Sequence, residues 1–488
     1  MKTLFSLLIL LFSKALLKDV YTQQWEALGP IGFTDSEASN FDLKLDRDQQ
    51  LYLVFRDTRY SYQQATLMKF NGESWDIIGQ RGFSEGTVNM PKLAFDGSNT
   101  PYVAFTDFYN DLNYPKRTSV MKYNGTDWEY VGSRGFTSHN AVYISIVIDV
   151  NNIPYIAFGD ASTPGRRSVM KFNGTSWEYV GKPGFSESTA INGNMVIDSK
   201  RTLYVTYSEL KDDEFKPCVM KFNGNQWEYV GPPRFSDWEA GSVSIALDDN
   251  DIPYVAYTDR AFQGKVTVMK FDGSNWIPVG NKGCTPAAVN FLSFTIKNNK
   301  PYLAFQDLHI ACRDTFRFHE GEGDFGRGYT HKASAMVFEN GEWNYLGEPC
   351  FSANEVMYPN ITVADNGTAF IGYADISSTP YRFFATVMKL GDMSPLEVQP
   401  VKKNESLFNV YPNPVKNSFT IIYQSKETDI INLKVKSLSG AVIYYTTEQS
   451  FFGTFGKEID IGQNPPGLYF VELTTGKERL VRKVVINK

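Results

Sequence analysis

The chain of 488 residues is too long for one ordinary core, carries a net charge of −6 and has a pI near 5.5. With 15% aromatic and only 21% charged residues it reads as a packed, β-rich protein rather than a disordered one. No Lys/Arg-rich stripe points to a nucleic-acid partner, and four histidines leave little material for a histidine-built metal centre.

The first predicted element is an export signal over residues 1–22. Lys2 gives it a positive start, and Leu4–Phe12 is a mostly apolar run too short to span a bilayer. Lys14 and Lys18 interrupt the stretch after it and no A-x-A box is present, so cleavage after Thr22 competes with a retained anchor. Export would place the four cysteines in an oxidising compartment.

Residues 23–390 then repeat one unit. Trp25, Trp75, Trp128, Trp177, Trp227, Trp276 and Trp343 are separated by 50, 53, 49, 50, 49 and 67 residues, each in a variant of W-E-Y-V-G. In the third copy the runs Val142–Ile148, Pro154–Phe158, Ser168–Phe172 and Trp177–Gly181 read as four short strands, with Asn173–Gly174 as a hairpin turn. Four-stranded units repeated at this period predict a β-propeller. The seventh unit, Asn360–Leu390, lacks a W-E-Y-V-G run, while Trp25–Gly29 stands alone at the other end. The two should complete each other, closing a seven-bladed ring that leaves only short protected edges, where the alternative, an open solenoid, would leave both ends unpaired. A Pro-containing polar linker, residues 391–406, leads to short alternating strands over residues 407–488, consistent with a small Ig-like β-sandwich.

This last segment carries Tyr411-Pro412-Asn413-Pro414, Gly440, Pro466-Gly467-Leu468-Tyr469 and Lys483-Val484-Val485-Ile486. The combination closely resembles the type A C-terminal sorting domain of the type IX secretion system, with Tyr411, Pro412, Asn413, Pro414, Gly440, Gly467, Tyr469 and Lys483 as the sorting motif. The resemblance implies the type IX machinery as a partner. It also implies passage across both membranes of a Gram-negative bacterium after signal removal, and release or attachment to surface lipopolysaccharide. The propeller is similar to kelch-like and sialidase-like propellers in general architecture only. Asp boxes (S-x-D-x-G-x-x-W) are absent, so no glycosidase residues can be carried over.

What repeats is expected to be scaffold. The acidic residues closing the second run, Asp57, Asp107, Asp160, Glu209, Asp259, Asp307 and Asp375, are expected to accept turn amides, as are Asp46, Asp96, Asp149, Asp198, Asp248 and Asp365 on the opposite turn. Lys69, Lys122, Lys171, Lys221, Lys270 and Lys389 are expected on a solvated face or against a neighbouring blade's carboxylate. Phe33, Phe83, Phe136, Phe185, Phe235 and Phe351 are expected to wedge between blades.

Function is sought where the repeats disagree. Trp238 is the one tryptophan outside the repeated position. The same predicted face holds Arg59, Tyr60, Tyr109, Tyr114, Arg166, Arg167, Phe262 and Tyr381, an aromatic and arginine mixture suited to stacking on sugars or gripping a protein. The long loop Leu308–Lys332 reads as a lid or binding loop, with a metal site from His319, Glu320, Asp324 and His331 as the weaker reading because no two sit at a recognised ligand spacing. Cys284, Cys312 and Cys350 fall near one blade, and one disulfide among them is expected, with Cys218 the odd one out. No catalytic set, metal or cofactor stands out. The expectation is therefore a monomeric, non-catalytic propeller that binds an extracellular glycan or protein through its loop face, with a polysaccharide hydrolase or lyase as the alternative.

Overall fold

The computed structural model describes residues 24–59, 63–108, 116–317, 327–376, 382–391, 408–411, 415–425, 429–437, 442–450, 453–475 and 479–487. The expected signal segment and most of the linker lie outside them. The chain divides into two compact units at residues 396/397.

The first unit is seven antiparallel sheets arranged as blades. Blade one is typical: an inner strand Ala38–Leu45, then Leu51–Asp57, Gln64–Phe70 and the short outer strand Trp75–Ile77. Inner strands of successive blades touch in sequence, and the inner strand of blade seven, Glu355–Val363, touches that of blade one, so the ring is closed. The outer strand of blade seven is the N-terminal Trp25–Ala27, in register with Leu390, Lys389 and Met388. Blade six carries the outlier, where Arg313–Arg317 pairs with an extension of the strand Arg327–Glu339 to make a second hairpin.

The repeated W-x-x-x-G motif has a physical explanation in the joints between blades. Each indole Nε1 donates to a carbonyl of the preceding blade: Trp75 to Leu28, Trp128 to Ile78, Trp177 to Val131, Trp227 to Val180, Trp276 to Val230, Trp343 to Val279 and Trp25 to Leu346, at 2.7–3.1 Å. That indole lies over the preceding blade's glycine. A Cβ on Gly231 would come within 2.8 Å of Phe271 and 3.2 Å of Trp276, and its φ of +68° is the left-handed region. The expected wedges stack on the same indoles, as Phe83 on Trp128 with centroids 3.8 Å apart and Phe351 on Trp25 at 4.6 Å. Cys284 takes the wedge position beside Trp343.

Most of the acidic residues are turn acceptors, as expected; Glu209 instead accepts the Glu187 and Ser188 amides, and Asp375 accepts the Asn354 side chain. Asp57, Asp160, Asp259 and Asp307 each accept the amide two residues on. Asp46, Asp96, Asp149, Asp198 and Asp248 do the same across the opposite turns. Asp365 does not belong to that set. The turn in blade seven is closed by Ala364 and Thr368, so the equivalent position is Ala364, and Asp365 instead pairs with Lys297 of blade six. The repeat lysines lie on a solvated face, as one of the two expectations had it, and the carboxylates that Lys122, Lys171 and Lys221 reach are Glu129, Glu178 and Glu228 on their own blade's outer strand rather than a neighbour's, because cross-strand register brings each pair face to face.

The second unit is a two-sheet β-sandwich. One sheet runs Phe408–Tyr411, Ser418–Ser425, Gly453–Asp460; the other runs Val442–Ser450, Asp429–Ser437, Gly467–Thr474, Arg479–Ile486. Phe419, Ile421, Leu433, Val435, Val471 and Val484 are among the residues that fill its core.

Candidate ligand-binding site

Pairing of Ala38 with Asp57 places the start of each inner strand on the face where the second strand ends. The loops from second to third strand and from outer strand to next blade therefore share one face, and the central channel opens onto it. Buried hydroxyls bind this face together. Thr66, Ser119, Ser168 and Thr267 donate to Asp57, Asp107, Asp160 and Asp259 at 2.7–3.0 Å. In blade four both partners change, and the Cys218 thiol lies 3.8 Å from Glu209. Burial raises the pKa of both groups. Arg81 and Arg134, which sequence reasoning passed over, clamp Asp57 and Asp107 at 2.7 Å. Asp57 is pulled below the ordinary carboxylate range, with its burial outweighed by hydrogen bonds from Arg81, Ser36 and the Arg59 amide.

At the channel mouth the inner strands share a feature invisible in the repeat. A two-residue bulge interrupts the register between Ser39 and Asp42, Asn89 and Lys92, Val142 and Ser145, Ala240 and Val243, Asn290 and Ser293, and Met357 and Asn360. Six non-glycine residues at this level are left-handed: Asn40, Met90, Tyr143, Asn192, Phe291 and Tyr358, with φ between 49° and 55°. Each costs on the order of 1–3 kcal/mol, a strain that collects at binding sites, and bulges re-aim side chains. The six form a crown around the mouth of a channel of about 790 Å³. Phe291 and Tyr358 touch across adjacent blades, with centroids 4.6 Å apart.

One step below the crown, polar side chains stitch neighbouring inner strands together. Asp42 accepts from the Leu93 amide, Ser145 from Met195, Asn194 from Ile245, Ser293 from Ile361 and Asn360 from Leu43, at 2.8–3.1 Å. Lys92 occupies this tier and makes no ion pair among the described residues. Two arginines flank the mouth. Arg56 is half-buried and its Nε donates to Ser39 Oγ at 3.0 Å. Burial lowers its pKa, opposed only by the Tyr358 phenol. Arg167 is fully buried; Nη1 donates to the Tyr143 carbonyl at 3.2 Å, while Nε and Nη2 have no partner. Burial pushes its pKa down to about 10, opposed only by the phenols of Tyr207 and Tyr143.

The residues singled out from sequence are dispersed. Trp238 is 56% exposed. Arg59 is engaged with Asp35 at 2.7 Å. Arg166 sits on a strand opposite Asp160. Phe262, in the short 3-10 turn Arg260–Phe262, packs over Gly283. Arg167 is not on the loop surface: it faces Gly159 across the sheet, in a place where other blades carry small residues such as Ala65 and Ala333, and is swallowed between blades three and four. Tyr60, Tyr109, Tyr114 and Tyr381 lie outside the described residues, as do His319, Glu320 and Asp324. One signal for the crown was present in the sequence. Pro91 and Pro359 interrupt inner strands, and proline inside a sheet is confined to edges and bulges.

Cys312 and Cys350 form the disulfide, 38 residues apart with Cα atoms at 5.1 Å, tying the start of the blade-six insertion to the loop entering blade seven. Cys350 stands at the left-handed position that is glycine in most blades. Cys284 and Cys218 are free; burial pushes the Cys284 thiol up to about 12. Asp307 lies close to the disulfide, but both sulfurs are committed to each other, so the three do not make a metal site.

The fold defines a closed seven-bladed propeller followed by a separate β-sandwich. Residues 409–487 match the secretion system C-terminal sorting domain. The C-terminal unit is a type IX sorting domain, which directs the protein through that machinery to the cell surface or extracellular space of a Gram-negative bacterium. Within it Tyr411 ends the first strand, and Gly467 opens the strand that carries Tyr469. Tyr469 is buried, with its hydroxyl donating to the Pro465 carbonyl at 2.9 Å. Lys483 lies on the last strand, while Pro412, Asn413, Pro414 and Gly440 are outside the described residues. No curated protein sequence matches the chain. Among solved structures, a protein of unknown function from Dyadobacter fermentans aligns at 11% identity and TM-score 0.42, covering 77% of this chain and all of its own. An ulvan lyase bound to -[GlcA(1-4)Rha3S]- aligns at 11% identity and TM-score 0.48, covering 74% and 96%. AofleA from Arthrobotrys oligospora aligns at 10% identity and TM-score 0.40, covering 67% and 91%. Among the described residues no helix is long and apolar enough to cross a membrane.

Proposed function

We propose that the chain is an exported, non-catalytic propeller that binds glycans on its loop face, at the crown of the central channel. The observation that carries this reading is the crown itself. Six side chains are held in left-handed backbone around one opening, and four of them, Met90, Tyr143, Phe291 and Tyr358, offer apolar or aromatic surface. Aromatic faces stack on sugar rings, while the amides of Asn40 and Asn192 supply directional hydrogen bonds to hydroxyls. Asp42, a channel carboxylate, accepts the Leu93 amide, which suits a scaffold role better than proton transfer. Trp238, standing exposed on a loop of the same face, would extend the contact beyond the mouth. A glycan array probed with the full chain, wild type and Phe291→Ala/Tyr358→Ala, tests the proposal. Binding should be present in the first and lost in the second. A blank array together with measured depolymerisation of any polysaccharide would overturn it in favour of a hydrolase or lyase.

A further inference from the structure

We infer that the ligand of this mouth is an acidic glycan, one whose sugar rings carry carboxylate or sulfate groups, and that Arg56 and Lys92 are the residues that receive the anionic group. The inference rests on the glycan reading above and narrows it to a chemical class. Its basis is a charge imbalance confined to one arc of the mouth. Blades one, two and three contribute Arg56, Lys92 and Arg167, and none of the three pairs with a carboxylate among the described residues. The carboxylate on this arc, Asp42, is committed to the Leu93 amide at 2.8 Å and lies only 3.9 Å from a fourth cation, Lys44.

Withdrawing a cation from water without a partner costs several kcal/mol, and native folds answer this by pairing it. The same protein does so a short distance away, where Arg81 and Arg134 hold Asp57 and Asp107. Arg56 and Arg167 are treated differently. A low-dielectric mouth with an excess of one sign of charge focuses the field on an incoming anion. Arg56, still partly accessible, can present its planar fork to a carboxylate or sulfate. Arg167 is sealed from solvent and touches no ligand; it is a positioning residue that fixes Tyr143 through its carbonyl while adding to the local potential. The aromatic pair Phe291–Tyr358, on blades six and seven, provides the stacking surface adjoining this cationic arc.

The test uses the full chain and three probes: a galacturonic acid hexamer, the neutral galactose hexamer obtained by reducing its carboxyl groups, and a sulfated galactan hexamer. Calorimetry should show at least one acidic hexamer binding about tenfold or more tighter than the neutral one, the scale of one charged hydrogen bond. The preference should shrink as NaCl is raised. Arg56→Gln and Lys92→Met should each reduce it severalfold without changing binding of the neutral hexamer. Lys92→Met removes a partly exposed channel side chain, so it remains informative if Arg56→Gln folds poorly. Tight binding of only the carboxylated or only the sulfated hexamer identifies the anionic group and supports the inference. Neutral binding with no acidic preference, or a preference untouched by both substitutions, overturns it and leaves the glycan reading standing. Failure of all three hexamers together with a blank array removes both.

Discussion

Ring closure rests on a three-residue strand, and Trp25→Ala isolates its contribution. The Trp25 indole stacks on Phe351 at 4.6 Å, donates to the Leu346 carbonyl at 3.0 Å and covers Gly347. Truncating a packed tryptophan to alanine costs about 3–5 kcal/mol. Trp25 keeps some exposure, so we expect the lower end, ~3 kcal/mol. The loss should fall on the clasp, because Trp25–Ala27 is held to blade seven by pairing with Met388–Leu390 and by hydrogen bonds of its flanking residues, Leu28–Val387, Gly391–Gln24, Gly32–Thr386 and Phe33–Ala385, with no covalent hairpin to back them. If opening of the clasp becomes easier by that amount, amides in residues 385–391 should exchange with solvent about a hundredfold faster. Trp128→Ala is the matched control: its indole also stacks on a phenylalanine and bonds a carbonyl at 3.1 Å, but its strand is held by the hairpin that begins after Tyr123. Exchange within threefold of wild type in Trp25→Ala, or equal acceleration of residues 117–123 in Trp128→Ala, would refute the clasp argument.

Three further outcomes are expected from the same joints. Asp375 is fully buried; Oδ1 accepts from Asn354 at 2.8 Å, but Oδ2 has no partner, and burial raises its pKa. A carboxyl with a raised folded pKa contributes most below its unfolded value and loses that contribution as pH rises through the folded one. Asp375→Asn should therefore stabilise the propeller by on the order of 1 kcal/mol at neutral pH, with the gain fading towards pH ~4 in urea titrations. Reducing the Cys312–Cys350 bridge should lower the thermal midpoint, since closing a loop of 38 residues is worth about 4 kcal/mol in the chain-entropy account; Cys312→Ser should reproduce the shift and abolish sensitivity to reductant. Gly231→Ala should cost at least ~1–2 kcal/mol by urea midpoint, because the backbone is left-handed and the new Cβ meets Phe271.

Architecture was legible because its physics is written in identical residues. Each of the seven joints has an indole donor and a glycine beneath it, and six of the seven have a phenylalanine wedge, so tryptophan, glycine and phenylalanine recur and can be counted. Where the joint was varied, prediction weakened. Cys284 reads as a disulfide candidate because cysteine spacing says nothing of a wedge position, and Asp365 reads as a turn acceptor because a one-residue offset preserves the local composition. Arg167 reads as a loop residue because its neighbour Arg166 begins the strand; that Gly159 opens room for it across the sheet is a fact of register.

The crown escaped for the converse reason. Its constant feature is a backbone angle, while its side chains are Asn, Met, Tyr, Asn, Phe and Tyr in turn. Six of the seven inner strands take the left-handed conformation there under four different side-chain types, while blade five carries Gly241 outside that region, so scaffold chemistry imposes no single identity and the position does not recur as a letter. That freedom suits recognition. The crown side chains take no part in the indole–carbonyl bonds or the clasp, and among the described residues Asn192 alone of them bonds a neighbouring inner strand, through the Gly241 carbonyl, so the mouth can be adapted to a ligand without reopening the ring. In the strained but variable positions the backbone sets where a side chain will point, and only its chemistry remains to be chosen. The cationic arc of blades one to three and the aromatic pair of blades six and seven are two such choices made on one frame.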